Sequence, residues 1–215
     1  GRVAYFARLA AAGAALAHQI SADYSADIAG GEVTIDRYAL AAKSVMVGLG
    51  FAAGFVLPRD AGYKTWLLTA STLFGALIVM DSAGFAALFL GIEMLSLPAF
   101  ALIVHQRGAS VAAEGAFKYL LMSAVASALL LFGMSLAYMS TGTLAIADFV
   151  AVVGSGRGLD TAATALMLAG FFIKAAVFPL HGWAPDAYSA ARLPVTALLA
   201  SIIKGAVLLA LARVF

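Results

Sequence analysis

Five ionisable residues stand inside stretches otherwise apolar enough to lie in lipid: Lys43, Glu93, Lys118, Lys174 and Lys204. A charge near the centre of a bilayer costs at least about 2.5–3.5 kcal/mol on insertion scales, so each must be paired, hydrated or in use. Depth sorts the five. Lys43 is about 10 Å into its run at 1.5 Å per residue, within reach of a snorkelling ammonium. Lys118 has Glu114 four residues before it, the favourable order for a helical ion pair, and an interfacial pair explains it as well as a function does. Glu93, Lys174 and Lys204 lie deeper, roughly 12–20 Å from the near ends of their runs. One acid and two bases at that depth can pair only by turning inward together. A buried ion pair that merely orders the bundle is the bland alternative, but such pairs add little stability, and it leaves Lys204 unpartnered. A lysine without a partner in an apolar interior gives up its proton readily. The pattern therefore predicts a proton relay through Glu93, Lys174 and Lys204.

Residues around the relay support it. Pro179 follows Lys174 closely, and a proline inside a span frees backbone carbonyls and breaks the helix; broken helices recur at transporter ion sites. His181, seven residues after Lys174, would share its face on a straight helix and could pass a proton onward. It reads equally well as a hydrogen-bonded interface histidine beside Trp183. Thr196, Ala200 and Lys204 are spaced four apart with Ser201 adjacent, and Ser123 and Ser127 make a similar small polar stripe.

The elements that must carry these residues follow from composition. The chain has 215 residues, 64% of them hydrophobic and 11% charged, against roughly 45–50% and 25% for a soluble domain. Such a chain lacks the residues to give its helices polar faces, and it is an integral membrane protein. Apolar runs at 3–20, 36–57, 63–80, 83–105, 113–139, 161–182 and 194–214 are each long enough to cross a hydrocarbon core, and none alternates as a barrel strand does. The expected fold is all-α: one transmembrane domain over 1–215, a polytopic bundle of about seven spans, one of them broken at Pro179. The first run is followed by further spans and no cleavage-like site, unlike a signal peptide. Gly50 and Gly54 form a small-xxx-small packing step.

Loop charges predict the orientation, because Lys and Arg are retained on the cytoplasmic side. Arg2, Arg8, Arg59, Lys64, Arg107 and Arg192 gather at one set of ends. The other set holds mainly Asp23, Asp27, Glu32, Asp36, Asp81, Asp148 and Asp160, with Arg37, Arg157 and Arg213. The amino terminus is expected inside and the carboxyl terminus outside, with 140–160 as a flexible outer connector. A net charge of +2 is too small for nucleic-acid binding. With no cysteine, disulfides, thiolate metal sites and cysteine-held iron–sulfur clusters are excluded. His18, His105 and His181 are too scattered to suggest haem or zinc, so no metal or cofactor is expected in this chain.

At these residues the sequence resembles the antiporter-like subunits of respiratory complex I. Gly91-Ile92-Glu93-Met94-Leu95-Ser96-Leu97-Pro98 is similar to the glutamate-bearing helix of that family. Glu114 to Tyr119, the Leu-Met-Ser-Ala-Val-Ala-Ser after it and Phe132-Gly133-Met134 resemble the next helix. The run Phe172 to Asp186 looks like the family's broken helix and following loop, and Pro194-Val195-Thr196 through Lys204 like the helix after that. The resemblance covers roughly residues 36–215. Among the paralogues the motifs look most like the NuoN type, NADH-quinone oxidoreductase subunit N, with Mrp-type sodium/proton antiporter subunits close behind. The chain departs from the family where Ala191-Arg192-Leu193-Pro194 stands in place of an Ala-Pro-x-Pro step.

The resemblance implies a proton-translocating subunit of NADH:quinone oxidoreductase in a bacterial cytoplasmic (inner) membrane. It would be part of an enzyme without redox chemistry of its own, and it would work beside other membrane subunits, neighbouring antiporter-like ones included. Glu93 and Lys174 would form the charge pair of a half-channel, Lys204 the central relay and Lys118 a further relay lysine. The family has two inverted repeats, so this chain, which begins at Gly1, is expected to be a fragment corresponding to roughly the amino-terminal half. An Mrp-type or membrane-bound hydrogenase subunit and a non-conducting membrane scaffold are the alternatives. A retinal protein with its Schiff base on Lys204 is disfavoured by the extra cation at Lys174 and by only two tryptophans.

Overall fold

The computed structural model describes residues 1–105 and 109–215, so Arg107 lies outside the described residues. Helix α1 (Arg2–Ser21) leads through a small antiparallel hairpin, β1 (Ala26–Ile28) and β2 (Val33–Ile35), to α2 (Arg37–Val56), α3 (Tyr63–Asp81), α4 (Phe85–His105) and α5 (Ala109–Thr141). A short helix α6 (Ile146–Val152) precedes α7 (Gly158–Ala175), α8 (Trp183–Ala190) and α9 (Leu193–Leu198). A π turn (Leu199–Ile203) then joins α9 to α10 (Lys204–Val214) as one continuous rod.

Among the described residues, 6 helices are long and apolar enough to cross a membrane: α2, α3, α4, Ala112–Thr141 of α5, α7 and Leu193–Val214. Helix α1 has 20 residues, the length of a span, but carries Arg8, His18 and Gln19 within it. The architecture is the polytopic helical bundle expected. The hairpin is an addition to it. Gly30 and Gly31, with φ of 70° and 90°, occupy the left-handed region its turn requires. Glu32 ties the hairpin to the bundle, its carbonyl accepting from the Ala83 and Gly84 amides and its carboxylate from Ala87 N at the start of α4.

Two seams of small residues bring the site-bearing helices together. Between α3 and α4, a Cβ on Gly75 would lie 2.5 Å from Leu95 N and one on Gly91 2.9 Å from Val79 N. Between α5 and α7, a Cβ on Gly133 would lie 2.9 Å from Ala163 O and one on Gly170 2.8 Å from Ala126 O. Bare glycine lets the backbones approach where lipid offers no hydrophobic drive for association. Gly50 and Gly54 do the same against side chains, facing Leu73 and the Tyr5–Phe6 pair, and the Gly50 carbonyl accepts from Tyr5 Oη.

Two expectations about connections are refined. The run at 161–182, expected to break at Pro179, breaks earlier. α7 ends at Ala175 and Ala176 adopts the left-handed conformation (φ 55°, ψ 46°). The chain is therefore broken ahead of Pro179, which sits in the irregular segment between α7 and α8. The connector at 140–160, expected to be flexible, is built rather than slack. It contains α6, and the Asp160 carboxylate, buried at the start of α7, accepts from Ser140, Ser155 and Arg157.

Candidate functional site

Glu93 and Ser96 are presented by α4, Tyr119, Ser123 and Ser127 by α5, and Lys174 by the last turn of α7. Residues three or four apart share a helix face, so Ser123 and Ser127 point one way, as do Glu93 and Ser96. Lys174 is 5% exposed, a depth at which an ammonium must find partners. Its Nζ donates to Ser123 Oγ at 3.0 Å and to Ser96 Oγ at 3.3 Å, and lies 3.5 Å from Glu93 Oε1. Ser96 spends its own proton on the Ile92 carbonyl, 2.8 Å away, which leaves an oxygen lone pair free for the lysine. Ser127 donates to the same Glu93 oxygen at 2.5 Å. The carboxylate is thus held by a serine, and the lysine mostly by two others.

The break in α7 helps to hold this arrangement. A cation in a helix's last turn faces the negative end of the dipole. Trp183 Nε1, at the start of α8, donates to the Ile173 carbonyl at 2.8 Å, a second bond to an acceptor that also takes the Ala176 amide at 3.1 Å. The Trp183 ring packs edge-on against Tyr119 at 5.2 Å. These residues enclose a small cavity of about 10 Å³, lined by Ser96, Tyr119, Ser123, Lys174, Trp183 and, from the last span, Ile203 and Val207. That is room for one water at most.

Such a site, with its amine buried and its carboxylate 26% exposed, suits proton exchange between the two. Residues 82–215 match the family model described as NADH:quinone oxidoreductase/Mrp antiporter, TM. The chain belongs to this family. It is 53% identical over its whole length to NADH-quinone oxidoreductase subunit N of Pelobacter propionicus, covering 46% of that protein. Its fold is similar to a chain of respiratory complex I from Thermus thermophilus, with a TM-score of 0.85 and 29% identity over 99% of this chain and 47% of that one. It is also similar to a chain of the Mrp complex of Dietzia, with a TM-score of 0.83 and 25% identity over 99% of this chain and 43% of the other. The chain spans about half the length of the relatives it matches.

The remaining candidates of this family member are dispersed. Lys204 does not share the cavity with Lys174. It is half-buried, its Nζ 5.0 Å from the centroid of the Tyr188 ring, and Ile203 and Val207 on either side of it close the cavity instead. The π turn inserts an extra residue before Lys204, so the even spacing of Thr196, Ala200 and Lys204 no longer makes one stripe. Ala200 is exposed, and Thr196 Oγ1 lies 3.1 Å from the Tyr188 carbonyl. Lys118 bridges α5 and α8, with Glu114 Oε1 and Asp186 Oδ2 each at 2.8 Å. His181 is exposed, its ring 5.6 Å from that of Phe178. Because α7 stops at Ala175, the seven-residue spacing does not carry His181 onto the face of Lys174.

Lys43 departs most from expectation. It is 7% exposed and is paired within the bundle. Its ammonium lies 2.8 Å from Asp81 Oδ1 and 3.1 Å from Oδ2 at the end of α3. Asp81, assigned to a loop from its position beside an apolar run, is in fact the partner of a buried lysine, its own side chain 18% exposed. The only sequence signal for it was the presence of an intramembrane lysine that needed a partner. Tyr119 and Trp183 were likewise missed as walls of the Lys174 cavity, since an aromatic residue on an apolar helix carries no distinguishing pattern.

Proposed function

We propose that this chain is the amino-terminal, proton-conducting half of a subunit of NADH:quinone oxidoreductase, moving protons across a bacterial inner membrane while quinone is reduced elsewhere in the complex. Other membrane subunits, neighbouring antiporter-like ones among them, would flank it, and the chain itself would hold no redox centre. Its amino terminus would face the cytoplasm. The observation that carries the reading is Lys174: a buried ammonium held by two serines and by Glu93 at 3.5 Å.

With Glu93 ionised, Lys174 keeps its proton. At 3.5 Å the pair interacts by roughly 5 kcal/mol at an effective dielectric of 20, enough to decide whether the amine is loaded. When Glu93 is neutralised or drawn away, the proton leaves Lys174 for Lys204. Because the cavity ends at Ile203 and Val207, that step requires the α7–α10 contact to loosen and admit water. Lys118, between Glu114 and Asp186, and the exposed His181 are stations through which protons would reach the site from the cytoplasmic end.

The test is proton uptake by inverted membrane vesicles carrying the full-length subunit, measured together with quinone reduction. Lys174→Ala and Lys204→Ala should each abolish uptake while the subunit still inserts. Full pumping by both variants would refute the relay. The similarity to an Mrp chain supports a second reading, an Mrp-type sodium/proton antiporter subunit. Sodium-dependent transport without quinone reduction would select it.

A further inference from the structure

Three aromatic rings run from the Lys174 cavity to Lys204. Tyr119 and Trp183 are walls of the cavity, and their rings meet edge-on at 5.2 Å. Trp183 in turn meets the ring of Tyr188, on α8, at 6.4 Å and 78°. Lys204 Nζ stands 5.0 Å from the centroid of the Tyr188 ring. The wall on the side of the last span is Ile203 and Val207, whose side chains offer a proton nothing to bind. The aromatic side chains each carry a polar atom.

Two of those three atoms are committed. Tyr119 Oη donates to the Ser96 carbonyl at 3.3 Å, and Trp183 Nε1 to the Ile173 carbonyl at 2.8 Å. Tyr188 Oη is buried and has no hydrogen-bond partner among the described residues. A buried tyrosine hydroxyl usually finds a partner, because leaving it unpaired is unfavourable. The residue is nevertheless held in place. Thr196 Oγ1 donates to the Tyr188 carbonyl at 3.1 Å, which ties α8 to α9, and the ring rests against Trp183. A fixed ring with an uncommitted hydroxyl fits a water-binding group better than a packing one. The face of the ring attracts a cation, so it keeps the Lys204 ammonium near. From there the hydroxyl on the rim is about one bridging water away.

We propose that Tyr188 is a positioning residue of the relay, its ring holding Lys204 and its hydroxyl anchoring the water that joins Lys204 to the Lys174 cavity. The proposal deepens the relay reading above and rests on it. When the α7–α10 contact loosens, water enters beside Lys174 and hydrogen-bonds to Tyr188 Oη. The Lys174 ammonium gives that water a proton and becomes an amine. The water passes one of its own protons to the Lys204 amine, which becomes an ammonium, and water and tyrosine end as they began. The ring face then holds the new cation, which disfavours its return to Lys174.

The test uses the full-length subunit in its assembled complex, in inverted vesicles, with proton uptake and quinone reduction recorded together. Tyr188→Phe keeps the ring and removes only the hydroxyl, Tyr188→Leu removes both, and Lys174→Ala is measured alongside. Because Oη bonds to no protein group among the described residues, Tyr188→Phe should leave assembly and the thermal transition of the purified complex unchanged or slightly raised. It is expected all the same to lower the ratio of proton uptake to quinone reduction by about tenfold or more, since a positioned proton-transfer group contributes about a hundredfold or more. Tyr188→Leu should lower the ratio at least as far, and a Tyr188→Leu that pumps better than Tyr188→Phe would overturn the part given to the ring. Wild-type pumping by an assembled Tyr188→Phe overturns the proposal, as does its failure to assemble, which would give the hydroxyl a structural part instead. If Lys174→Ala stops uptake and Tyr188→Phe does not, only this inference fails. If Lys174→Ala pumps normally, the relay itself is wrong and the role of Tyr188 falls with it.

Discussion

Adding a single methyl group at Gly170 should uncouple the relay without unfolding the bundle. A Cβ there would lie 2.8 Å from the Ala126 carbonyl and 2.7 Å from Leu130 Cγ. Ordinary contact begins near 3.4 Å, so α5 and α7 must separate by about 0.6 Å, since a packed seam cannot absorb the methyl. Lys174 is one turn beyond Gly170 on the same helix face and moves with it. Its 3.0 Å bond to Ser123 would lengthen to about 3.6 Å, beyond useful hydrogen-bond range. Overpacking costs about 1–3 kcal/mol, and alanine's better helix propensity returns about 1 kcal/mol, so the variant should remain folded. Gly48→Ala is the control, because nothing lies within 4 Å of a Cβ at that position. The assay is the ratio of proton uptake to quinone reduction in vesicles, with assembly checked by the amount of complex recovered. Gly170→Ala should lower the ratio and Gly48→Ala should not. A wild-type ratio in Gly170→Ala would show that the serine–lysine geometry does not govern coupling.

Two further substitutions probe the parts of the site separately. Ser127→Ala removes the 2.5 Å donor to Glu93, a bond to a charged group with a typical value of about 1.5–3 kcal/mol. It should reduce proton uptake with little change in assembly, and unchanged uptake would mean that Glu93 needs no such anchor. Trp183→Phe keeps the ring but loses the bond to the Ile173 carbonyl. It should cost about 1 kcal/mol, read as a lower thermal transition of the purified complex, and an unchanged transition would place the support for the broken helix elsewhere.

Composition and hydropathy, read along the chain, were enough to establish a membrane-embedded helical bundle, since no residue alternation or polar face permits another class. They also singled out Glu93 and Lys174, because a charge in lipid is conspicuous wherever it stands. Ser123 and Ser127 were legible for the same reason: two small polar residues four apart on an apolar helix share a face whatever the helix packs against. The hairpin at 26–35 was not legible, because strands of three residues barely register as a pattern. Nor was the end of α7 at Ala175. Pro179 signals a break, but only tertiary contacts decided that the chain turns at Ala176, where Trp183 meets the Ile173 carbonyl.

The partners of the buried charges divide in the same way. That Lys43 must be satisfied follows from the cost of an ammonium in hydrocarbon, a local property of one side chain and its neighbours in sequence. Which group satisfies it depends on how α2 is rotated against α3, and that rotation is set by packing between residues far apart in the chain. The one-residue insertion at 199–203 likewise turns Lys204 away from the cavity of Lys174 and onto Tyr188. A charge's need for company is local, whereas the identity of that company depends on the register and rotation of packed helices. The chain alone therefore determined which residues had to do something, and only the tertiary structure decided with whom.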